Sequence, residues 1–457
     1  MDQISLDAAT VYSAEDADIT LRLCRLFEKR CEQLGVADLA RNIEMPLVSF
    51  LHRLEAAGIR VDPAVLDEQR TKLEARAQAL RQNVLDRAGH DFNPDSPKQL
   101  GELLFTTLGF PVQKKTKTGY STDAEVLDKL SDLTDDELTK VPEAARPIPG
   151  LMVEYRMLTK LVGTYFAQLT AAIEDDGRVH GTFHQTGAAT GRLSSSNPNL
   201  QNIPIRTDVG REIRRAFVAE PGHVLIAADY SQIELRILAH LSQDEALLDA
   251  FRNDRDIHAA VAAEVFNLPL GEVTSEQRSH AKMINFGIVY GITAFGLARR
   301  VESLDNKAAA DLIASYKQRF SGIDRFLQAC IDEAKAQGFV RTMLGRRRDI
   351  AEIDAGNPQR RALAERLAIN SVVQGSAADL IKKAMVDLQN RLDAKDPSGT
   401  PRARMLLQIH DELVLECPAS DAEAVEATVI DIMENAMSLS CPLRVDANVG
   451  DDWFEAK

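Results

Sequence analysis

Arg278, Lys282, Phe286 and Tyr290 recur at every fourth position. A step of four turns an α-helix by about 400°, so on a helix the four share one slowly drifting stripe about 18 Å long. The stripe is graded, two cations and then two aromatics. A core stripe would not begin with Arg and Lys, and a solvent stripe would not end with Phe and Tyr. A nucleoside triphosphate fits the order, with phosphates at the cations and sugar and base at the rings.

A second group of residues is acidic. Asp229 stands where an apolar run, residues 223–228, gives way to a helical pattern. Taken alone it reads as a helix cap. It also reads as a metal ligand, because a strand end fixes a carboxylate rigidly and Mg²⁺ demands near-octahedral oxygen geometry. Asp411 and Glu412 adjoin between two apolar runs, 405–409 and 413–416. Acids are common in turns. Here, however, Leu406, Leu407, Ile409, Leu413, Val414 and Leu415 crowd the pair, and an acid in such a place loses hydration unless a cation offsets it. The segment TGRLSSSNPNLQNIP at 190–204 reads as a loop. Its Arg, Asn, Gln and Ser donors also suit phosphate, sugar and minor-groove contact.

The elements that must hold these groups follow from periodicity. Residues 223–228, 405–409 and 413–416 are predicted strands, the last two joined at His410-Asp411. Residues 231–253 and 275–290 are predicted helices. Leu66, Leu73, Leu80 and Val84 mark one face of a helix of about 24 residues. Ser13 is a candidate cap for an N-terminal helix, Ser96-Pro97 opens another, and Thr122 with Glu125 forms a capping box. Pro142, Pro147, Pro149 and Gly150 punctuate a loop before a helix carrying Arg156 and Lys160, and residues 393–402 form a surface loop. A helical first third followed by strands with a helical insertion implies an α+β, multidomain chain.

Composition sets the outer bounds. With 457 residues, 45% apolar and 27% charged, the chain is too long for one core and has an ordinary globular balance. It has no apolar run of the roughly 20 residues that span a bilayer, and its acidic first residues do not form a signal peptide. A cytoplasmic location is expected. The five cysteines are widely spaced without CxxC and read as buried small hydrophobes. The net charge of −15 argues against nucleic acid unless a groove is locally basic. The clusters Arg214-Arg215, Arg346–Arg348, Arg360-Arg361 and Lys114, Lys115 and Lys117 read singly as solvated faces.

Together the motifs resemble those of a known family. DYSQIELR at 229–236, RSHAKMINFGIVYG at 278–291 and QIHDEL at 408–413 resemble motifs A, B and C of family A DNA polymerases, in that order. The segments at 190–204, DIH at 256–258 and ERLAINSVVQGSAADL at 365–380 are similar as well, so the resemblance covers nearly the whole chain. It implies a right-hand polymerase fold with an antiparallel palm sheet, helical fingers and a helical thumb. The implied division is thumb 45–180, palm 181–236 and 350–457, and fingers 237–349. Residues 1–44 would be the C-terminal end of a 3′–5′ exonuclease-like domain.

The implied activity is template-directed addition of dNTPs to a primer 3′-hydroxyl by two-metal-ion phosphoryl transfer, with release of pyrophosphate, in DNA replication and repair. Asp229 and Asp411 would hold two Mg²⁺ ions, with the Tyr230 carbonyl assisting and Glu412 close by. Lys282 would bind the triphosphate and protonate the leaving group. Arg278 and His258 would grip the outer phosphates, Phe286 and Tyr290 would flank sugar and base, and Gln232 would complete the nucleotide site. Glu234 would stand against a ribose 2′-hydroxyl as a steric gate. The implied DNA contacts are Arg192, Asn199, Gln201, Asn202, Arg206, Arg366, Asn370, Gln374 and His410. The expected partners are primer–template DNA and dNTPs, for a monomer without membrane association.

Three positions depart from the family pattern: Asn197 where Asp is usual, Ser279 where a basic residue is usual, and Val162 where Lys is frequent. They bear on the grip on DNA rather than on the metal site. Tyr12 and Asp16 resemble the last exonuclease motif, but the motifs supplying the other carboxylates are missing, so no proofreading is expected. Two competing readings are a non-catalytic DNA-binding module that keeps the fold, and a single-subunit RNA polymerase with a related palm. Glu234 and the Phe286–Tyr290 pair argue against the second.

Overall fold

The computed structural model describes residues 4–116, 119–203, 208–266, 268–289, 291–298, 304–393 and 403–457. Tyr290 and Arg206 lie outside the described residues, as do the side chains of Phe286 and Asn202 and most of the loop expected at 393–402.

The site rests on a four-stranded antiparallel sheet. Its strands are β1 (His223–Tyr230), β2 (Arg404–Ile409), β3 (Glu412–Pro418) and β4 (Val445–Gly450), in the order β2-β3-β1-β4. Leu225, Ile226, Ala228 and Leu413–Leu415 are all buried, successive residues included, so both faces of the central strands are covered. The helix Ala422–Glu434 packs on β1, β3 and β4, and Met45–Ala57 packs on β2. The 36-residue helix Pro358–Asp393 packs against both of these helices.

The first predicted strand is longer than its apolar run. It continues through Tyr230, so Asp229 lies inside β1, opposite Glu412 on β3 and Asp446 on β4. Asp229 is therefore no helix cap. The helix that follows, Ile233–Ser242, begins after Gln232, which has φ +53° and makes no side-chain cap. The single helix expected over 231–253 is two. Gln243 takes φ +48°, and Asp244 accepts from the Leu247 amide at 3.2 Å to start Glu245–Arg252. An Asp that satisfies a free amide this way favours a new start over a continuous helix.

The helical first third contains Pro63–Ala88, close to the expected length, with Asp62 accepting from the amides of Ala64 and Val65. Leu66 and Leu73 join the main core, whereas Val84 joins a second, separate core with Leu100, Leu104, Leu127, Ile148 and Met152. One helix thus links two packed units. Ser96 and Pro97 open Pro97–Glu102 as expected. The cap at the next helix is Asp123, which accepts from Val126, because Thr122 is engaged by Arg156 through its carbonyl and hydroxyl. Pro149 and Gly150 fall in the first turn of Ile148–Lys160 rather than in a loop before it.

Leu6–Leu34 starts seven residues before Ser13, with Ser5 as its cap, and none of its residues is buried. Cys330, Cys417 and Cys441 are buried, but Cys31 is only half-buried and Cys24 is exposed. Among the described residues no helix is long and apolar enough to cross a membrane.

Candidate active site

The sheet brings the three acids together. The register sets Glu412 directly across from Asp229. Asp411 sits in the two-residue turn between β2 and β3, which His410 enters with φ +53°. The Asp411 carbonyl accepts from the Tyr230 amide at 3.2 Å, tying that turn to the end of β1. Burial pushes the Asp411 carboxyl above its ordinary range, the Arg192 charge opposes this, and Asp229 adds to it. A carboxylate in that state favours a cation beside it.

Glu412 is held from behind. Its side chain is 2% exposed, accepts from Trp453 Nε1 at 2.7 Å, contacts Lys457 Nζ, and has Arg214 Nη1 at 3.9 Å. The Arg214 guanidinium lies 4.1 Å from the centre of the Trp453 ring. Arg214 is therefore interior, not part of a solvated Arg214-Arg215 face. Asp229 remains partly exposed, with Lys457 Nζ 3.1 Å from Oδ2.

Beside the acids, Glu234 in the first turn of Ile233–Ser242 pairs with Arg192 at 2.6 Å. Burial raises the Glu234 carboxyl, Arg192 opposes that, and Asp411 adds to it. Arg192, Gln201, Gln408, His410 and Asp411 line one small cleft, where Gln201 Nε2 donates to the Gln408 side chain at 3.0 Å. Asn199 accepts from the Gln201 amide as a local cap. The Oε1 of Gln232 and the Oδ1 of Asn370 are buried without a partner among the described residues. Arg366, Asn370 and Gln374 share a face of Pro358–Asp393 at steps of four. Gly291, at φ +73°, leaves space for Arg366, whose Cγ lies 2.7 Å from where a Cβ would be.

The helix expected to hold the triphosphate is Ser275–Val289. Lys282 is exposed on it, and Arg278 pairs with Asp256 at 2.5 Å. His258 differs from expectation. It is 3% exposed beside Asn285, and burial, which also disfavours its charged form, lowers its pKa to about 4. In this conformation it is not presented to a phosphate.

The donor set near the acids is all oxygen: the carboxylates of Asp229, Asp411 and Glu412 and the Tyr230 carbonyl. Such a set suits Mg²⁺ or Mn²⁺ rather than a soft metal. Among the described residues no group of three or more His, Cys, Asp or Glu side chains is arranged as a self-sufficient ion cage. Mg²⁺ commonly takes one or two carboxylates and completes its shell with water and phosphate, so the residues present fit such an ion. The sequence reading missed Trp453, Lys457, Gln408 and the internal role of Arg214. The lone Trp, the Arg214-Arg215 pair and the place of Gln408 at the head of QIHDEL were the hints of them.

Three comparisons bear on this arrangement. The model of DNA polymerase family A matches residues 63–455. DNA polymerase I of Pseudomonas aeruginosa is 46% identical over 457 residues, covering 100% of this chain and 48% of that protein. DNA polymerase I of Bacillus subtilis is 44% identical over 442 residues, covering 96% of this chain and 48% of that protein. A solved structure, the POL domain of Pol1 from M. smegmatis in complex with DNA primer–template and dNTP, superposes with a TM-score of 0.88 at 39% identity, covering 95% of this chain and 74% of that one. The chain belongs to DNA polymerase family A. It has the α+β right-hand fold of that family and spans about half the length of these two relatives.

Proposed function

We propose that this chain is a DNA-directed DNA polymerase that extends a primer 3′-hydroxyl with dNTPs on a DNA template, releasing pyrophosphate, in replication and repair. The observation that carries the reading is the register of β1 and β3, which sets Asp229 against Glu412 with Asp411 at the adjoining turn. Support comes from a similar structure described as a complex with primer–template DNA and dNTP. The proposed division is thumb 45–180, palm 181–236 and 350–457, and fingers 237–349, acting as a cytoplasmic monomer.

Asp229, Asp411 and the Tyr230 carbonyl would hold two Mg²⁺ ions, which when bound supply activation of the primer hydroxyl and charge stabilisation at the leaving pyrophosphate. Glu412 stays anchored on Trp453 and keeps its carboxylate beside Asp229. Lys282, exposed on its helix, binds the triphosphate and can deliver a proton to the leaving oxygen. Arg278 adds charge once it exchanges Asp256 for phosphate. Phe286 and Tyr290 flank the incoming sugar and base. Glu234, braced by Arg192, excludes a 2′-hydroxyl by size. Arg192, Asn199, Gln201, Asn202, Arg206, Arg366, Asn370, Gln374 and His410 are the proposed DNA contacts.

Tyr12 and Asp16 lie one turn apart on an exposed helix, and we extend the proposal to an absence of 3′-end excision by these 457 residues. The test of function is extension of a recessed primer on templates of defined sequence, with Mg²⁺ and one dNTP at a time. Addition only of the nucleotide complementary to the template supports the polymerase. DNA binding without addition favours the non-catalytic module.

A further inference from the structure

We propose that Lys457 is a built-in counter-cation for the acids of the site, and that its ammonium competes with a divalent cation for Asp229. The inference rests on Asp229 being a metal ligand.

The tail that carries Lys457 is fixed rather than frayed. Trp453 and Ala456 are fully buried, the Trp453 amide donates to the Phe217 carbonyl at 2.9 Å, and the Ala456 amide donates to the Asp452 carbonyl at 3.1 Å. The Trp453 ring meets Phe217 edge-on at 5.5 Å. This anchoring brings Lys457 Nζ to 3.1 Å from Asp229 Oδ2 while it also contacts Glu412. The ammonium thus bridges two carboxylates that face each other across β1 and β3.

Glu412 has another donor in Trp453 and a second cation, Arg214, at 3.9 Å, whereas a Mg²⁺ ion on Asp229 needs its oxygen at about 2.0–2.1 Å. An ammonium hydrogen-bonded to Oδ2 crowds an ion on that oxygen and weakens its attraction by like charge. The Lys457 side chain is 30% exposed and has a flexible stem, so it can withdraw from Asp229 and stay on Glu412. The resting site is thereby part-neutralised, and metal loading requires that the ammonium yield.

Mn²⁺ binding to the chain without DNA, followed by the electron paramagnetic resonance of free Mn²⁺, tests this. Lys457→Met is expected to bind about tenfold more tightly than the wild type, and Lys457→Arg about as the wild type. The rise in melting temperature on adding Mn²⁺ is expected to be larger for Lys457→Met. A purely structural role would lower the melting temperature and leave affinity unchanged or weaker. Equal or weaker binding by Lys457→Met, in a protein whose Mn²⁺ binding Asp229→Asn abolishes, overturns the role of Lys457 alone. A gain that persists in Lys457→Met/Asp229→Asn overturns Asp229 as the ligand, and with it the reading on which the inference rests.

Discussion

At Glu234 a proposed role in sugar selectivity coincides with a local conflict of charge. It is largely buried and near Asp411, and both features disfavour its ionised form. The Arg192 guanidinium at 2.6 Å opposes them and holds the side chain, on the proposed reading, where a 2′-hydroxyl would have to pass. A shortened residue removes the obstacle. Glu234→Ala is expected to raise ribonucleotide incorporation relative to deoxynucleotide by about 10- to 100-fold, or about 1.4–2.8 kcal/mol of discrimination. Single-nucleotide incorporation rates check this, and a variant that loses DNA synthesis with no gain in ribonucleotide use defeats the gate. Arg192 also shows the limit of sequence at this scale. Its place among the DNA contacts came from the resemblance, but its partner 42 positions away carried no periodic signal. The same holds for Lys457, 228 positions from Asp229, whereas adjacent acids between apolar runs made Asp411 and Glu412 visible at once.

Between elements, a buried ionic network fixes the helical first third to the sheet domain. Glu44 contacts Arg346 and pairs with Lys382 at 2.8 Å, and Arg346 continues to Asp379 at 2.7 Å. Lys382 and Asp379 are fully buried on Pro358–Asp393. Burial alone would raise the Glu44 carboxyl, but Lys382 and Arg346 outweigh it and hold it below its ordinary range. A carboxyl lowered on folding stabilises the fold above its unfolded pKa, and this contribution fades as pH falls through the folded value. Glu44→Gln leaves a buried Lys without that partner and is expected to cost about 2–3 kcal/mol at neutral pH. Urea unfolding should show the gap between the two proteins closing as the solution is acidified below about 4.5. An equal gap at all pH values would mean that the loss is of packing rather than charge. Element existence was largely legible, because apolar runs and helical stripes are local. The break at Gln243-Asp244 was not, since helical spacing continues across it while one side-chain hydrogen bond restarts the helix. Nor was the cap at Asp123, where Arg156 had claimed Thr122 from a distant helix.

At the scale of the molecule, a chain of net charge −15 can bind a polyanion, as proposed, only through a locally basic surface. The proposed contacts include Arg192, Arg206 and Arg366, with Arg278 and Lys282 turned to the triphosphate. Binding carried by several such contacts is expected to weaken by more than tenfold between 50 and 200 mM salt, as read by fluorescence anisotropy of a labelled primer–template. A flat salt response would place the binding energy elsewhere. The central claim is that Asp229 and Asp411, brought together by β1 and the β2–β3 turn, make this surface a catalyst rather than a platform. It is tested most directly by extension of a labelled, recessed primer with Mg²⁺ and all four dNTPs, comparing the wild type with Asp411→Ala. The expected result is templated extension by the wild type and none by the variant, with both proteins folded and bound to the same DNA. A folded wild type that does not extend the primer, or an Asp411→Ala variant that extends it as well, would contradict the account.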